Sequence, residues 1–150
     1  MHLDTYLFFH GECAEALALY QTTFGAQIHT LIRFRDTPEA VGVAEQWQDK
    51  VLHGLFSLGP NAIMVSDGQF GQPKRNYSGF SLSIAAADPI TGEYIFDTLS
   101  EGGEILTPWQ SNFMTQGFGM LKDRFGVPWL VNVVSHLEDE AYPQQASEAA

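Results

Sequence analysis

The side chains able to do chemistry are few in this sequence and lie far apart. Its five histidines show none of the i, i+4 or cross-strand pairing that brings two imidazoles to one metal ion; they are His2, His10, His29, His53 and His136. His53 lies in the middle of a predicted strand and is the histidine we take as a pocket candidate. The sequence has no Ser-His-Asp order, nucleophile elbow or phosphate-binding loop.

Two carboxylates stand at predicted turns. Asp67 follows a predicted strand, and Asp123 opens the turn 123–126 (DRFG), in which the first carboxylate can accept a backbone N–H and the last glycine can take a positive φ. We expect both to act as turn or cap carboxylates rather than as acids and bases. Cys13 is the only cysteine, which excludes an internal disulfide and a cysteine-rich zinc site, and we expect it to be buried in an alanine-rich helix.

Large aromatic residues are concentrated between Trp109 and Asn132, around the predicted turn. They are Trp109, Phe113, Phe118, Phe125 and Trp129. Residues of this kind usually form a core. Together with a few polar neighbours they can also form the wall of a ligand pocket, and the polar candidates are Gln110, Asn112 and Asn132.

The length and the net charge of the chain limit which classes of function are possible. A chain of 150 residues is one ordinary domain or two small modules that share a core. A net charge of −11 with only seven Lys and Arg offers no basic face for phosphates, so we expect no nucleic-acid partner. No apolar run approaches the ~18 residues that span a bilayer, and residues 1–4 lack the basic start of a secretory signal. We therefore expect a cytoplasmic protein without a membrane partner.

The first half of the chain reads as a βαβββ unit. A helix follows the first strand, with apolar residues at helical spacing and Gly25 as its C-terminal cap. Residues 35–48 are polar and without a period, so we expect an irregular insert there. The predicted strands are Leu3–Phe9, Ala26–Phe34, Val51–Leu58 and Ala62–Val65.

The second half repeats this order of elements. Asp88 and Pro89 place an N-cap and a proline at the first helical position, and the helix runs to Leu99. Proline at position 128 is tolerated only near the start of a strand or on an edge. The predicted strands are Phe80–Ala85, Glu104–Thr107, Thr115–Asp123 and Val127–Val134.

The repeat predicts an α+β protein of two βαβββ modules, whose curved mixed sheets surround a cleft. We divide the chain into a first module 1–68, a linker 69–77, a second module 78–136 and a flexible acidic tail 137–150. In the second module, Phe80, Leu82 and Ile84 alternate with small or polar residues, so one face of the sheet can take the helix and the other stays open.

Several motifs carry a resemblance to a known family. The segments YLFFHGECAEALALYQTTFGAQI, IMVSDG, YSGFSLSI and TPWQSNFMTQGFGMLKDRFGVPWLVNVV occur in the order seen in PhnB-like proteins of the vicinal oxygen chelate superfamily, which includes glyoxalase and bleomycin-resistance proteins. This resemblance implies the paired βαβββ fold and a homodimer. Some relatives carry a demethylubiquinone methyltransferase label, but the sequence has no Gly-rich strand-to-helix turn for S-adenosylmethionine.

Metal-dependent members of the superfamily hold a divalent ion with His and Glu side chains from four strands. The resemblance puts Thr5, Gly79 and Leu130 at three of these positions, and Met64 or Asp67 at the fourth. Of these residues only Asp67 could bind a metal. We therefore expect no metal and no other cofactor.

The first hypothesis is a metal-free homodimer that binds a small molecule in an aromatic pocket. Any catalysis would use Asp67, Tyr77 or His53 as a general acid or base. The alternatives are a metal-dependent lyase, isomerase or dioxygenase with a shifted ligand set that uses His53 and Asp67, and a protein that sequesters a cationic antibiotic. The predicted pocket residues are Thr5, Leu7, His53, Ser66, Asp67, Tyr77, Ser81, Trp109, Phe113, Phe118 and Asn132.

Overall fold

The computed structural model describes residues 1, 3–68, 72–74 and 76–133. Backbone contacts divide the chain into two compact units, Met1–Asn76 and Tyr77–Ala150. This boundary falls within the predicted linker 69–77, part of which lies outside the described residues. The predicted acidic tail 137–150 lies outside them as well, as do His2 and His136.

The N-terminal module is a four-stranded mixed sheet with one covering helix. Its strand order is β1-β4-β3-β2, in which β1 runs parallel to β4 and the other neighbours are antiparallel. The predicted order of elements is confirmed, although the first strand is shorter than predicted. The elements are β1 (Thr5–Phe8), α1 (Cys13–Phe24), β2 (Gln27–Arg33), β3 (Val51–Leu58) and β4 (Asn61–Ser66).

The polar insert between β2 and β3 contains three short 3-10 helices, at Phe34–Asp36, Pro38–Gly42 and Glu45–Trp47. The lack of a hydrophobic period in this segment is consistent with such single turns. Helix α1 ends as predicted at Gly25, which takes a left-handed φ of 75° and donates its N–H to carbonyl oxygens of the last turn.

The two faces of the N-terminal sheet differ sharply in exposure. Leu7, Phe56 and Val65 share one face and are at most 2% exposed, and the ring of Tyr20 from α1 lies 5.8 Å from that of Phe56. Side chains alternate along a strand, so neighbouring residues point to the opposite face, on which Tyr6 is 37% exposed. We call this second surface the open face of the module.

The C-terminal module has the same plan. Its strand order is β5-β8-β7-β6, with β5 parallel to β8 and the remaining pairs antiparallel. Pro128 is the first residue of the central strand β8, where its missing N–H is tolerated. The elements are β5 (Leu82–Ala86), α2 (Pro89–Ser100), β6 (Glu104–Gln110), β7 (Phe118–Lys122) and β8 (Pro128–Val133).

Helix α2 begins where the sequence predicts. Asp88 has extended backbone angles and accepts the backbone N–H of Thr91 at 2.8 Å, and its second carboxylate oxygen accepts the Thr91 hydroxyl at 2.8 Å. These bonds satisfy a donor that the helix itself leaves unpaired. The carboxylate of Asp88 thus fixes the start of the helix that covers this sheet.

Glycines make room for two aromatic rings under α2. A Cβ at Gly119 would lie 2.4 Å from the Phe96 ring, and a Cβ at Gly117 would lie 2.2 Å from the Trp109 ring. Trp109 also approaches Gly92 of α2, and its ring centroid lies 5.7 Å from that of Phe96. These rings therefore pack between α2 and the sheet.

The predicted turn at 123–126 is confirmed. Asp123 accepts the backbone N–H groups of Phe125 and Val127 through Oδ1, and Gly126 has a φ of 88°. Oδ2 of Asp123 accepts the indole N–H of Trp129 at 3.0 Å, a contact that the sequence pattern did not indicate. The buried carboxylate thus joins the turn to the first residues of β8.

Candidate functional site

Tyr6 and His53 meet on the open face of the N-terminal sheet. The strand register places Tyr6 beside Met64, and Met64 beside Leu55, so these three side chains share a face. His53 precedes Leu55 by two residues on β3, so its side chain lies on that face as well. The phenolic oxygen of Tyr6 lies 2.9 Å from Nδ1 of His53. The Phe8 ring stacks on the Tyr6 ring with centroids 4.7 Å apart and remains 49% exposed.

Ser66 lies on the same face, beside Phe8 in the strand register. Its hydroxyl oxygen accepts the backbone N–H of Gly68 at 2.9 Å and lies 3.5 Å from the carbonyl oxygen of Val51. Burial raises the pKa of the Tyr6 phenol and the nearby Cys13 adds to the rise, whereas the Ser66 hydroxyl acts in the opposite sense. The balance is a pKa above the ordinary value, so the phenol keeps its proton at neutral pH.

A cavity of about 360 Å³ lies at the end of β1 and β4 within the same module. This volume lies in the range of small-molecule sites. Phe8 and Ser66 belong both to the cavity and to the open face, so the cavity adjoins the Tyr6–His53 pair. Its lining is mostly apolar with a few polar groups: Phe8, Phe9, His10, Leu52, Ser66, Asp67, Gly68, Gln72 and Pro73.

Basic side chains lie beside this cavity in an acidic chain. Lys50 donates to the carbonyl oxygen of Gly11 at 2.9 Å, next to the lining residue His10. Lys74 pairs with Glu12 at 3.3 Å. The ammonium group of Lys50 thus donates to a neutral carbonyl oxygen, and no carboxylate in the described part of the chain forms an ion pair with it.

Asp67 is buried and its carboxylate is fully engaged. Oδ1 accepts the N–H groups of Gly11 and Cys13 at 2.8 and 2.9 Å, and Oδ2 accepts the N–H of Val51 at 2.7 Å. Glu12 precedes α1 without a side-chain cap, so Asp67 supplies the acceptor for the start of that helix from the far end of β4. This role is that of the turn or cap carboxylate that the sequence predicted.

The predicted pocket residues of the N-terminal module fall into two groups. His53 and Ser66 lie with Tyr6 on the open face, and Asp67 lines the cavity. Leu7 is 2% exposed on the face that α1 covers, and strand alternation puts Thr5 on that same face. Helix α1 covers this face, so the structure does not place Leu7 and Thr5 with the open-face residues.

The C-terminal candidates are also divided. Phe118 and Asn132 are neighbours in register on the face opposite the buried Val131, and Oδ1 of Asn132 is buried without a partner among the described residues. Trp109 packs against α2 on the other face, and Phe113 is 95% exposed in the segment after β6. The remaining two candidates, Tyr77 and Ser81, precede β5.

The candidates predicted from the sequence include neither Tyr6 nor Phe8. On β1 they are Thr5, which the resemblance puts at the superfamily's first ligand position, and Leu7. The signal for the opposite phase is burial: Leu7 and Phe9 share a phase, and Phe9 is 5% exposed. The alternating residues Tyr6 and Phe8 must then face away from α1.

The described residues do not fit the divalent metal that the resemblance associates with metal-dependent members of the superfamily. Thr5 lies on the covered face, Gly79 and Leu130 offer no donor side chain, and both oxygens of Asp67 accept backbone N–H groups. Among the residues placed by the structure, no three His, Cys, Asp or Glu side chains come together as a metal site would require.

Two modules, each a four-stranded mixed sheet with one covering helix, define a protein of the glyoxalase/bleomycin-resistance fold class. FosX from Listeria monocytogenes shares this fold, at a TM-score of 0.59 and 12% identity. Within the class, the chain belongs to the PhnB-like family, whose sequence model, described as 3-demethylubiquinone-9 3-methyltransferase, matches residues 2–132.

Relatives at higher identity support this membership. Protein YjdN of Escherichia coli (strain K12) is 38% identical over 142 residues, which cover 89% of this chain and 96% of YjdN. The crystal structure of protein PA1353 from Pseudomonas aeruginosa is similar at a TM-score of 0.79 and 34% identity, covering 89% and 97% of the two chains. The PhnB protein from Bacillus cereus shares the fold at a TM-score of 0.76 and 24% identity, covering 89% and 100%.

In the described part of the chain, α1 and α2 have 12 residues each, and no helix is long and apolar enough to cross a membrane.

Proposed function

We propose that the N-terminal module binds a small organic molecule where its cavity meets the open face. The observation that carries this proposal is the Tyr6–His53 hydrogen bond, which lies beside a cavity that shares Phe8 and Ser66 with it. Apolar walls with a few fixed polar groups are the usual composition of a ligand site. The stacked rings of Tyr6 and Phe8 offer a flat apolar surface to the ligand, and His53 offers a polar atom.

Methyl transfer is not part of this proposal, although the family description names it. Neither strand-to-helix turn is rich in glycine: residues 9–12 contain only Gly11, and residues 87–88 contain none. A dinucleotide or S-adenosylmethionine site of the usual kind uses several glycines there, so that the backbone can approach the ligand closely.

A thermal-shift screen of metabolites tests the proposal, with S-adenosylmethionine included as a probe. Compounds that raise the Tm of the wild-type protein are then titrated against His53→Ala and Phe8→Ala by calorimetry. We expect affinity to fall roughly five- to tenfold for His53→Ala, because one lost hydrogen bond costs about 1 kcal/mol.

The chain supplies a matched control for this experiment. His29 is also on the N-terminal sheet and also bonds a hydroxyl, since its Nε2 lies 2.7 Å from the Ser57 oxygen. It lies on edge strand β2, away from the cavity lining. His29→Ala should leave affinity unchanged, and an equal loss in both variants would contradict the proposed site.

We propose that binding requires no metal, because the side chains at the superfamily's ligand positions do not offer a donor set. Elemental analysis of the purified protein checks this part of the proposal. A stoichiometric content of Ni, Zn, Fe or Mn would contradict it and would favour the alternative of a metal-dependent lyase, isomerase or dioxygenase.

We also propose that the protein is a cytoplasmic homodimer. Large apolar side chains are exposed in the C-terminal unit, among them Phe113 at 95% and Met114 at 64%, and self-association would cover such residues. Sedimentation velocity at micromolar concentration should show a dimer, and a monomer would contradict this proposal. The single buried thiol is compatible with a reducing compartment, and cell fractionation tests that location.

A further inference from the structure

Two of the polar side chains in the cavity wall are already used by the fold. The carboxylate of Asp67 accepts three backbone N–H groups. The hydroxyl oxygen of Ser66 accepts the N–H of Gly68 at 2.9 Å, and the hydroxyl bonds the carbonyl oxygen of Val51 at 3.5 Å. Recognition of a ligand is therefore left to the other polar side chains of the lining.

His10 lies in the turn between β1 and α1, where it lines the cavity and is partly buried. Its ring meets that of Trp47 at an interplanar angle of 73°, with ring centroids 5.4 Å apart, and this contact restricts the orientation of the imidazole. In the described part of the chain, His29 and His53 each bond a hydroxyl group, whereas neither nitrogen of His10 has a hydrogen-bond partner. The imidazole of His10 is thus held in place and still able to bond a ligand.

Gln72 supplies a second polar group of this kind. It lines the cavity, and its side chain, like that of His10, forms no hydrogen bond with a described residue. A carboxamide has an N–H donor and a carbonyl acceptor, and a neutral imidazole has one N–H donor and one acceptor nitrogen. Both side chains therefore match a ligand group that donates and accepts at once, such as a hydroxyl or a carboxamide.

The lining offers no accessible counter-charge to an ionic ligand. Among its described residues none is a lysine or an arginine, and the only carboxylate is that of Asp67, which is 2% exposed. Lys50 bonds the carbonyl oxygen of Gly11 and is not part of the described lining. Burial of an ion without a partner is costly, so this wall disfavours both an anionic and a cationic ligand.

We infer that the ligand of this cavity is an uncharged molecule with an apolar ring and a hydroxyl or carboxamide group, and that His10 bonds this group. The inference rests on the proposed function and specifies its ligand class. The ring of the ligand then lies against the apolar part of the lining, where aromatic side chains favour stacked or edge-on rings. The apolar lining residues are Phe8, Phe9, Leu52 and Pro73.

Four probes that share a benzene ring test the ligand class: benzamide, benzyl alcohol, benzoate and benzylamine. Binding to the wild-type protein is measured by two-dimensional NMR at a pH where the His10 ring is neutral. Benzamide and benzyl alcohol should bind at least fivefold more tightly than the two ions and should shift the ring signals of His10, which are assigned by their loss in His10→Phe and His10→Gln. Tightest binding of benzoate, or of benzylamine as the antibiotic-sequestration alternative requires, would overturn the inference.

His10→Phe tests the role of His10, because phenylalanine keeps a ring beside Trp47 and removes both nitrogens. Affinity for benzamide should fall roughly five- to tenfold, the effect of one lost hydrogen bond, whereas affinity for toluene should not fall. His10→Gln, which retains a donor and an acceptor, should restore most of the benzamide affinity. His29→Phe, the matched control away from the described lining, should change neither affinity. An equal loss for benzamide and toluene in His10→Phe would mean that His10 only shapes the cavity, and would overturn the inference.

The outcomes separate this inference from the proposed function. If metabolites bind with an affinity that His53→Ala lowers and His10→Phe does not, the proposed function stands and the role of His10 is wrong. If no metabolite and no probe binds to the folded protein, both the proposed function and the ligand class are wrong. The ranking of the probes uses the wild-type protein, so it decides the ligand class even where a variant fails to fold.

Discussion

Val51 and Asp67 are joined by two reciprocal hydrogen bonds. The N–H of Asp67 donates to the carbonyl oxygen of Val51 at 2.8 Å, and the N–H of Val51 donates to Oδ2 of Asp67 at 2.7 Å. The other carboxylate oxygen accepts Gly11 and Cys13. One buried side chain thereby ties the start of α1 and the first residue of β3 to the end of β4, at the wall of the cavity.

Asp67→Asn should destabilise the protein by about 2–4 kcal/mol, because an amide directs its NH₂ at a backbone N–H and loses charge-assisted hydrogen bonds. Urea unfolding followed by circular dichroism measures the difference. The matched control is Asp97→Asn on the exposed surface of α2, which should change stability by less than about 0.5 kcal/mol. Equal effects of the two substitutions would show that the buried network contributes nothing specific.

Cys13 should be inert in the folded protein. The residue is 0% exposed, and its thiol pKa is raised by burial and by the charge of Asp67, with Arg33 acting in the opposite sense. Only the thiolate attacks thiol reagents. Reaction with a disulfide reagent at pH 8 should be negligible in buffer and complete in concentrated urea, and rapid labelling without denaturant would contradict the buried placement.

Gly117→Ala should destabilise the C-terminal module by about 1–3 kcal/mol, because the added methyl group would overlap the Trp109 ring. Thermal or urea unfolding provides the measurement. Gly42→Ala is the control, since nothing lies within 4 Å of a Cβ at that position. Trp109→Phe should cost less in the Gly117→Ala background than in the wild type, and strictly additive costs would show that the two residues do not compete for one space.

The cap at Asp88 should make stability depend on pH. Hydrogen bonds from the backbone N–H and then from the hydroxyl of Thr91 lower the pKa of this carboxyl, which is solvent-exposed. Because the pKa of Asp88 is lower in the folded state, its contribution to the free energy of unfolding is complete above the unfolded-state pKa, about 3.9. The contribution is lost as the pH falls through the folded-state pKa.

Asp88→Asn keeps a capping side chain but removes the charge. The stability difference from wild type should be largest above about pH 4 and should vanish toward lower pH, as measured by urea unfolding between pH 2 and 6. Asp97→Asn should show no such loss. A difference for Asp88→Asn that does not change with pH would mean that the ionised carboxylate has no advantage over the amide.

Local patterns in the sequence were sufficient for the order of elements and for several of their ends. The DRFG turn, the Asp88-Pro89 helix start and the Gly25 cap are set by residues close in sequence, and each is found where predicted. The repeat of βαβββ follows from the same local signals. Strand β6 runs to Gln110, beyond the predicted end at Thr107, because β6 is an edge strand on which the missing N–H of Pro108 costs no ladder bond.

The candidate site was only partly predictable. His53, Ser66 and Asp67 were named from their types and positions, and the structure puts them beside the cavity or on the open face. Tyr6 and Phe8 were not among the predicted residues, and Trp109 was expected in a pocket wall although it packs under α2. An aromatic residue is equally suited to a core and to a pocket, so its type alone does not decide between them.

The sequence by itself determined two similar modules, a single thiol and an acidic chain with few basic residues. Only the tertiary structure decided which face of each sheet the helix covers, that Tyr6 lies against His53, and that a carboxylate after β4 caps the first helix. The physical reason is that alternation along a strand defines two faces without saying which is buried. Contacts between residues 47 or 54 positions apart depend on strand register, which no local signal encodes.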